Sequence, residues 1–386
     1  MPLIYATPVL GSREIGTLQE IENIMAKLKY ALSSPRQWFG VLRRNTFARA
    51  IQGSNSIEGY NVTREDAIAA IEGEEPLDAE TEAWAAVNGY RRAMTYVLQA
   101  AEDPEFEYSQ HFIRALHFML LDYDLTKRPG NWRPGSIYVR DEKKGIDVYE
   151  GPDVDSVSTL MKELIESLRH QNQTPSLVKA AMAHLNLVMI HPFSDGNGRM
   201  ARILQTSVLS SHGILDPRFS SIEEYLGRNT QEYYDVLATV GQGKWNPGND
   251  ALPWVRFCLI AHFNQATTLL RRTRETERVW NELEKLIQSK GLPERVIFAL
   301  SDAAFGYRIR NAIYRSTADI NEVTASRDLK LLVDSGMLIP AGEKRGRVYV
   351  ASNTILDIRK RNREPRSIYK PPLPDNLYLP GMEPPA

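Results

Sequence analysis

The sequence predicts a mainly α-helical protein in which a large helical region precedes a small C-terminal domain, each carrying one short β-hairpin. Three observations lead there. Apolar residues recur three and four apart through most of the first 290 positions, as at Ile21, Ile24 and Leu28, which is the spacing of a helix's buried face. Only two places, 136–149 and the residues flanking Gly342 to Gly346, pair short β-prone runs across a turn. The length of 386 residues, at about 150 residues per domain, suggests two or three domains.

Composition narrows the function. Apolar residues make up 42% and charged residues 25%, which disfavours disordered, collagen-like and membrane classes. Forty-seven Lys plus Arg against 48 Asp plus Glu leaves a net charge of -1, unlike a wholesale binder of polyanions. Cys258 is the single cysteine; with no bridge and no zinc-type Cys/His spacing, a reducing, cytoplasmic setting is expected. Neither a leader at Met1 to Tyr5 nor an apolar run of roughly 18 residues is present, so no membrane association is expected.

Taken in order, residues 17–100 read as helices broken at Ser33 to Pro35, at Gly53, at Gly59 to Asn61 and at Gly73 to Pro76. Helices follow at 79–101 and 108–121. The dense Pro/Gly run 128–135 cannot be regular, and 136–140 with 146–149 reads as a hairpin. Helical spacing returns at 154–170, 176–190, from Arg199 to about His212 before Gly213, and at 253–290. The second half of that last helix is strongly polar, which reads as a bridge of up to roughly 50 Å between domains. Beyond Gly291 come helices opening at Pro293, at 308–316 and at 323–335, then two short strands. The end, basic from Arg359 and then Pro-rich, reads as an extended tail.

One segment dominates: His191-Pro192-Phe193-Ser194-Asp195-Gly196-Asn197-Gly198-Arg199-Met200-Ala201-Arg202. Gly196 and Gly198 let backbone N–H groups approach a ligand just before a helix N-terminus, which favours anions. Arg199 and Arg202, three apart, add cationic donors on one face of the first turn. Their charge opposes the helix dipole, a conflict that bound polyphosphate relieves. Asp195 offers a hard oxygen suited to Mg²⁺ shared with a nucleotide, and His191 can serve as a general base near neutral pH.

The string resembles the signature of the Fic family, HPFx(D/N)GNGRxxR, at every specified position, and the chain from about 108 to 261 is similar to a Fic core. The resemblance implies a Fic-type helical core whose hairpin forms a flap, and transfer of AMP from ATP to a Ser, Thr or Tyr hydroxyl of a target protein. It implies that His191 deprotonates the hydroxyl, that Asp195 holds Mg²⁺, that Gly196, Asn197 and Gly198 form the anion hole, and that Arg199 and Arg202 bind the β/γ-phosphates. Phe193 is read as a packing anchor. The hairpin 137–149 resembles the family's flap for docking a target peptide as an added strand. Tyr233 and Tyr234 resemble positions where an aromatic borders adenine, a role assigned to Tyr234, with core packing as the alternative. His184 and Cys258 are read as packed core residues.

Ser54-Asn55-Ser56-Ile57-Glu58-Gly59 resembles the family's inhibitory pattern, (S/T)xxxE(G/N). Ser54 and Glu58 lie one helical turn apart, and a carboxylate brought to Arg202 could exclude a productive triphosphate. The three helices and hairpin of 293–351 resemble a winged helix, with 323–332 as recognition helix and 342–347 as wing. Nine basic residues against seven acidic from Gly291 to Val350 are a modest footprint for DNA, so DNA contact and protein contact both stay open. The expected organisation is a helical N-terminal region with the inhibitory helix (1–107), a catalytic core (108–265), a linking helix (266–292), the winged helix (293–351) and a tail (352–386). Two alternatives accompany the adenylyltransferase reading: a DNA-binding regulator that senses nucleotide, and removal of AMP from a modified protein. The sequence leaves a homodimer open.

Overall fold

The computed structural model describes residues 2–32, 37–141, 145–170, 173–211, 219, 221–342, 347–365 and 372–373. The break expected at 33–35, the helix end at His212 and Gly213, the middle of the wing and most of the tail lie outside these. The N-terminal helices are α1 (Ser12–Leu32), α2 (Trp38–Ile57), α3 (Arg64–Glu72) and α4 (Thr81–Ala100). Then come α5 (Gln110–Leu121), the hairpin β1 (Tyr138–Asp141) and β2 (Ile146–Glu150), α6 (Val157–Arg169), α7 (Ser176–Ile190) and α8 (Asn197–Ser211). Short helices α9 (Glu223–Arg228) and α10 (Thr230–Gly241) lead into the long α11 (Leu252–Ser289). The C-terminal unit contains α12 (Ile297–Ala304), α13 (Asn311–Ala318), α14 (Glu322–Asp334), β3 (Leu338–Ala341), β4 (Val348–Ala351) and α15 (Asn353–Asn362). Among the described residues no helix is long and apolar enough to cross a membrane.

The fold is built around α7 and α8. α7 is apolar on nearly every side and buried accordingly; α8 is buried along almost its whole length, including Arg199 and Arg202. Side-chain caps start several helices, Thr63 for α3, Ser109 for α5 and Asn321 for α14, which satisfies first-turn N–H groups otherwise left without partners. Both hairpins are antiparallel, with Tyr138 opposite Glu150 and Leu338 opposite Ala351.

Four expectations change. Gly53 does not break a helix but lies within α2. It is glycine because α9 crosses there: a Cβ would stand 2.5 Å from the Glu223 carbonyl oxygen, so only glycine permits the approach. α8 begins at Asn197, not Arg199, so the two glycines stand at its very start. The polar half of α11 is no exposed bridge. Thr273, Glu275, Thr276, Val279 and Trp280 are buried, and the Glu275 carboxylate, fully buried, is held by Arg271 at 2.9 Å and Arg359 at 2.8 Å. Finally, the start of the expected tail is α15, which packs on α11 and α12 through buried Ile355 and Ile358.

The C-terminal unit also packs against the N-terminal helices. Arg44 of α2 donates to both Asp302 carboxylate oxygens, at 2.6 and 2.5 Å, with both side chains buried. Arg308 pairs with Glu65 and Asp78, and Arg315 with Glu74. Breaking a buried pair by removing one partner strands the other charge. Asp302→Ala should therefore lower unfolding free energy by about 3–5 kcal/mol, and the added change Arg44→Met should recover most of it. Urea denaturation of the two variants measures this; a loss below about 1 kcal/mol for Asp302→Ala contradicts it.

Candidate active site

Helix α7 ends because His191 takes the left-handed conformation (φ 51°, ψ 57°) and Pro192 follows, which cannot continue a helix. Such backbone is uncommon outside glycine and costs free energy that the surrounding contacts must offset. The loop from here to α8 is closed by Asn197, whose side-chain amide accepts from Phe193 N–H at 3.0 Å and donates to the Phe193 carbonyl at 2.9 Å. Its side chain is thus spent on the loop, and only its backbone N–H can serve an anion. Gly196 (φ 76°) turns the chain into the helix, and its carbonyl accepts from Met200 N–H.

His191 is half-buried. Its Nδ1 lies 2.9 Å from the Val188 carbonyl. A carbonyl can only accept, so Nδ1 carries the proton and Nε2 presents a lone pair. Burial lowers the His191 pKa below its ordinary value, the Val188 bond opposing, so the ring is neutral at neutral pH and able to take up a proton.

Two buried residues that the sequence reading did not single out hold this loop. His117 stacks on Phe193, ring centroids 3.6 Å apart at 6°. It accepts from Gly130 N–H at Nδ1, 2.9 Å, and donates from Nε2 to the Asp195 carbonyl, 3.0 Å. Arg133, 3% exposed, donates to the carbonyls of His191, Gly135 and Pro152, so one guanidinium fixes the entry to the 191–197 loop and the base of the hairpin together. Neither carries a motif; each could have been suspected only as a polar residue inside an apolar or Pro/Gly-rich stretch.

Asp195 is paired as well. Lys127 Nζ stands 2.9 Å from one oxygen and Gly196 N–H donates to the other at 2.6 Å. Burial alone would raise Asp195, but Lys127 and Arg199 outweigh it and hold the carboxyl below its usual range. Lys127 also reaches the Tyr60 hydroxyl at 3.3 Å, and the Arg199 guanidinium lies 4.9 Å over the Tyr60 ring.

The two arginines of α8 differ. Arg199, 1% exposed, leaves Nε and Nη1 buried without partners. Arg202, also 1% exposed, donates from Nε to Ser54 Oγ at 2.7 Å and from Nη2 to the Ser54 carbonyl at 3.1 Å and to Glu58 Oε1 at 2.6 Å, leaving Nη1 orphaned. A Cβ on Gly198 would lie 2.5 Å from Glu58 Oε1, so the Glu58 carboxylate rests on the helix N-terminus. Burial disfavours the Arg202 charge, yet Glu58 more than compensates and holds the Arg202 guanidinium above its ordinary pKa. Stranded guanidinium N–H groups beside open first-turn amides fit a polyphosphate.

Tyr233 is core: its hydroxyl meets His184 Nε2 at 3.0 Å, and His184 Nδ1 meets Gln205 at 2.6 Å. Tyr234, 44% exposed, donates to the Ile57 carbonyl at the end of α2. Cys258 is buried, and burial pushes its thiol well up.

Residues 107–209 match the model of the Fic/DOC family. This chain carries a Fic domain. Relatives include the protein adenylyltransferase Fic of Drosophila virilis, 26% identical over 254 residues, 64% of this chain and 47% of the relative. That of Drosophila melanogaster is 27% identical over 248 residues, 62% and 46%. The chain thus spans about half the length of the curated relatives it matches. A Fic family protein from Desulfovibrio desulfuricans G20 superposes with a TM-score of 0.56 at 22% identity, covering 90% of this chain and 98% of its own. Fic-1 (residues 134–508) from C. elegans gives 0.52 at 20%, covering 67% and 72%. At these identities the structures speak for the fold.

His117 supplies a prediction. Burial, against the Asp195 carbonyl bond, drops its pKa to about 4. Between about pH 6.5 and 4 the unfolded chain binds a proton at this site that the folded chain does not, so stability falls as pH falls through that window, by about 3 kcal/mol in all. The His117 ring resonances in NMR should stay in the neutral form down to about pH 5; an ordinary midpoint near 6.5 contradicts this.

Proposed function

We propose that the protein is an adenylyltransferase that moves AMP from ATP to a Ser, Thr or Tyr hydroxyl of a target protein, and that Glu58 holds it in check. The observation that carries this reading is the set of orphaned Arg199 and Arg202 N–H groups at the start of α8, at the end of a loop whose His191 has Nδ1 held by the Val188 carbonyl and Nε2 left to accept a proton. In the proposed step, His191 Nε2 takes the hydroxyl proton as the oxygen attacks the α-phosphorus. The bond to the β-phosphate bridging oxygen breaks and pyrophosphate leaves with the electron pair. Arg199 and Arg202 receive the β- and γ-phosphates, and the amides of Asn197 and Gly198 face the anion; the Gly196 amide, which here donates to Asp195 Oδ1, joins them once that bond is released. The loop contributes mainly positioning and charge neutralisation.

Asp195 would hold Mg²⁺, whose chemistry is to neutralise phosphate charge. Among the described residues no cluster of three or more His, Cys, Asp or Glu could bind a metal unaided. A single carboxylate completed by nucleotide oxygens is the arrangement Mg²⁺ commonly accepts. Lys127 then has to yield the oxygen it now holds.

The hairpin is read as the target's docking edge; it exposes Tyr138, Ile146 and Val148 and is anchored by the Tyr149 hydroxyl on the Met189 carbonyl at 2.8 Å. For the winged-helix-like unit, DNA contact and protein contact both stay open. Arg295, Arg308, Arg315 and Lys330 are paired with Asp or Glu, and Arg310 donates to the Glu75 carbonyl, whereas Arg327 on α14 and Arg347 are exposed with no ion pair among the described residues, where a phosphate backbone would meet a recognition helix and wing. A cytoplasmic setting remains the reading of a single buried cysteine.

Glu58→Gly frees Arg202 from a charge-assisted bond and should raise labelling of proteins by labelled ATP about 10- to 100-fold. Adding Arg202→Ala should abolish the gain, and His191→Ala in the Glu58→Gly background should lower the rate about 10²- to 10⁴-fold. A Glu58→Gly form no more active than wild type, or activation that survives loss of Arg202, sinks the proposed brake. Labelling undiminished without His191 sinks the mechanism.

Lys127→Met removes the ammonium that competes for Asp195. The Mg²⁺ concentration for half-maximal turnover should then fall relative to Glu58→Gly alone, whereas Asp195→Ala should raise it strongly. A Mg²⁺ titration with no displacement in either variant contradicts both assignments.

A further inference from the structure

The structure assigns a second anion-binding site, on the opposite side of α2 from Glu58, suited to a phosphorylated small molecule that also bears hydroxyl groups. α2, α11, the turn after α12 and the end of α15 enclose an open cavity of about 710 Å³, within the size range of small-molecule sites, roughly 300–1,000 Å³. Six cationic side chains line it, Arg49, Arg271, Arg272, Arg359, Lys360 and Arg363, against two carboxylates, Glu275 and Glu364.

The pairing leaves a surplus. Glu275 serves Arg271 and Arg359, Glu364 serves Arg274 and Arg278, and Glu224 serves Arg272 at 2.6 Å and Arg49 at 3.7 Å. Lys360 and Arg363, both exposed at the rim, have no ion pair among the described residues. Two buried polar atoms in the lining lack partners: Arg359 Nη1 and Asn45 Oδ1, the latter on a residue 8% exposed. Unpaired buried polar atoms are costly, and these two ask for different things. The guanidinium N–H needs an acceptor such as a phosphate oxygen; the amide oxygen needs a donor such as a ligand hydroxyl. Phe305, with the Arg359 guanidinium 4.5 Å over its ring, and Leu356 supply apolar wall.

The site is separate from the catalytic loop. Lining residues Val41, Leu42, Asn45, Thr46 and Arg49 share one face of α2. Ser54 and Glu58, five and nine positions beyond Arg49, point roughly 140° and 180° away at about 100° per residue. A ligand here would touch the helix that ends at Glu58. That it would thereby tune the brake rests on the reading of Glu58 above; binding does not.

Isothermal titration calorimetry on the full chain at low salt, without ATP or Mg²⁺, tests the site with two probes, inorganic tripolyphosphate and fructose 1,6-bisphosphate. Both should bind wild type, and Lys360→Glu/Arg363→Glu, whose substitutions are exposed and spare the fold, should weaken each about tenfold or more. Asn45→Ala should weaken the sugar bisphosphate alone. Absence of binding by both probes to wild type, or unchanged affinity in the charge-reversed variant, overturns the site. Equal weakening of both probes by Asn45→Ala overturns the hydroxyl contact.

Discussion

A guanidinium almost wholly removed from water has to be met by an anion, and Arg202 sets that requirement at the centre of this molecule. At 1% exposure it cannot be left to solvent, because an unpaired buried charge costs several kcal/mol. Ser54 and Glu58 of the N-terminal region meet it here. A triphosphate reaching the same N–H groups has to displace Glu58, which rests on Gly198. The proposed inhibition is therefore competition between two anions for one buried cation, and it needs no large rearrangement of the catalytic loop.

That competition is meaningful only if the helix presenting Glu58 is held firmly. α2 is fixed on several sides. Gly53 and Gly227 bring the α2 and α9 backbones into direct contact, and Glu224 of α9 gathers Arg49, Arg228 and Arg272 around one carboxylate, whose pKa is lowered to about 2 although burial opposes. Arg44 anchors the helix to Asp302 of the C-terminal unit. Next to Glu224, the buried Glu223 accepts from Thr206 of α8 at 2.8 Å, so α9 joins the helix that leads to Glu58 to the helix that carries Arg199 and Arg202.

The loop itself depends on hydrogen bonds to its backbone. His117, Asn197 and Arg133 tie its backbone at the Asp195, Phe193, His191 and Pro192 positions. These bonds and the Phe193 stack offset the left-handed His191 backbone and leave its Nε2 free. Lys127 and Tyr60 link the segment after Glu58 to Asp195 and Arg199, so both ends of the proposed nucleotide site meet the N-terminal region.

The sequence by itself determined the helical class, the two hairpins and the residues that converge on the candidate site, since periodicity and a contiguous loop are local signals. Phe193 as an anchor, His184 as a core histidine and the reach of Glu58 to Arg202 were legible there; the bonds from Arg202 to Ser54 were not. Tertiary structure decided the rest, because long-range packing overrides local propensity. Gly53 reads as a helix breaker until α9 is laid across it, and the charged half of α11 reads as solvent-exposed until α15 covers it and neutralises Glu275. The basic stretch at Arg359 reads as a loose tail for the same reason, its partners lying some 80 residues earlier in the chain. His117, Lys127 and Arg133 gain their roles only from neighbours far away in sequence, a kind of proximity that no spacing rule records.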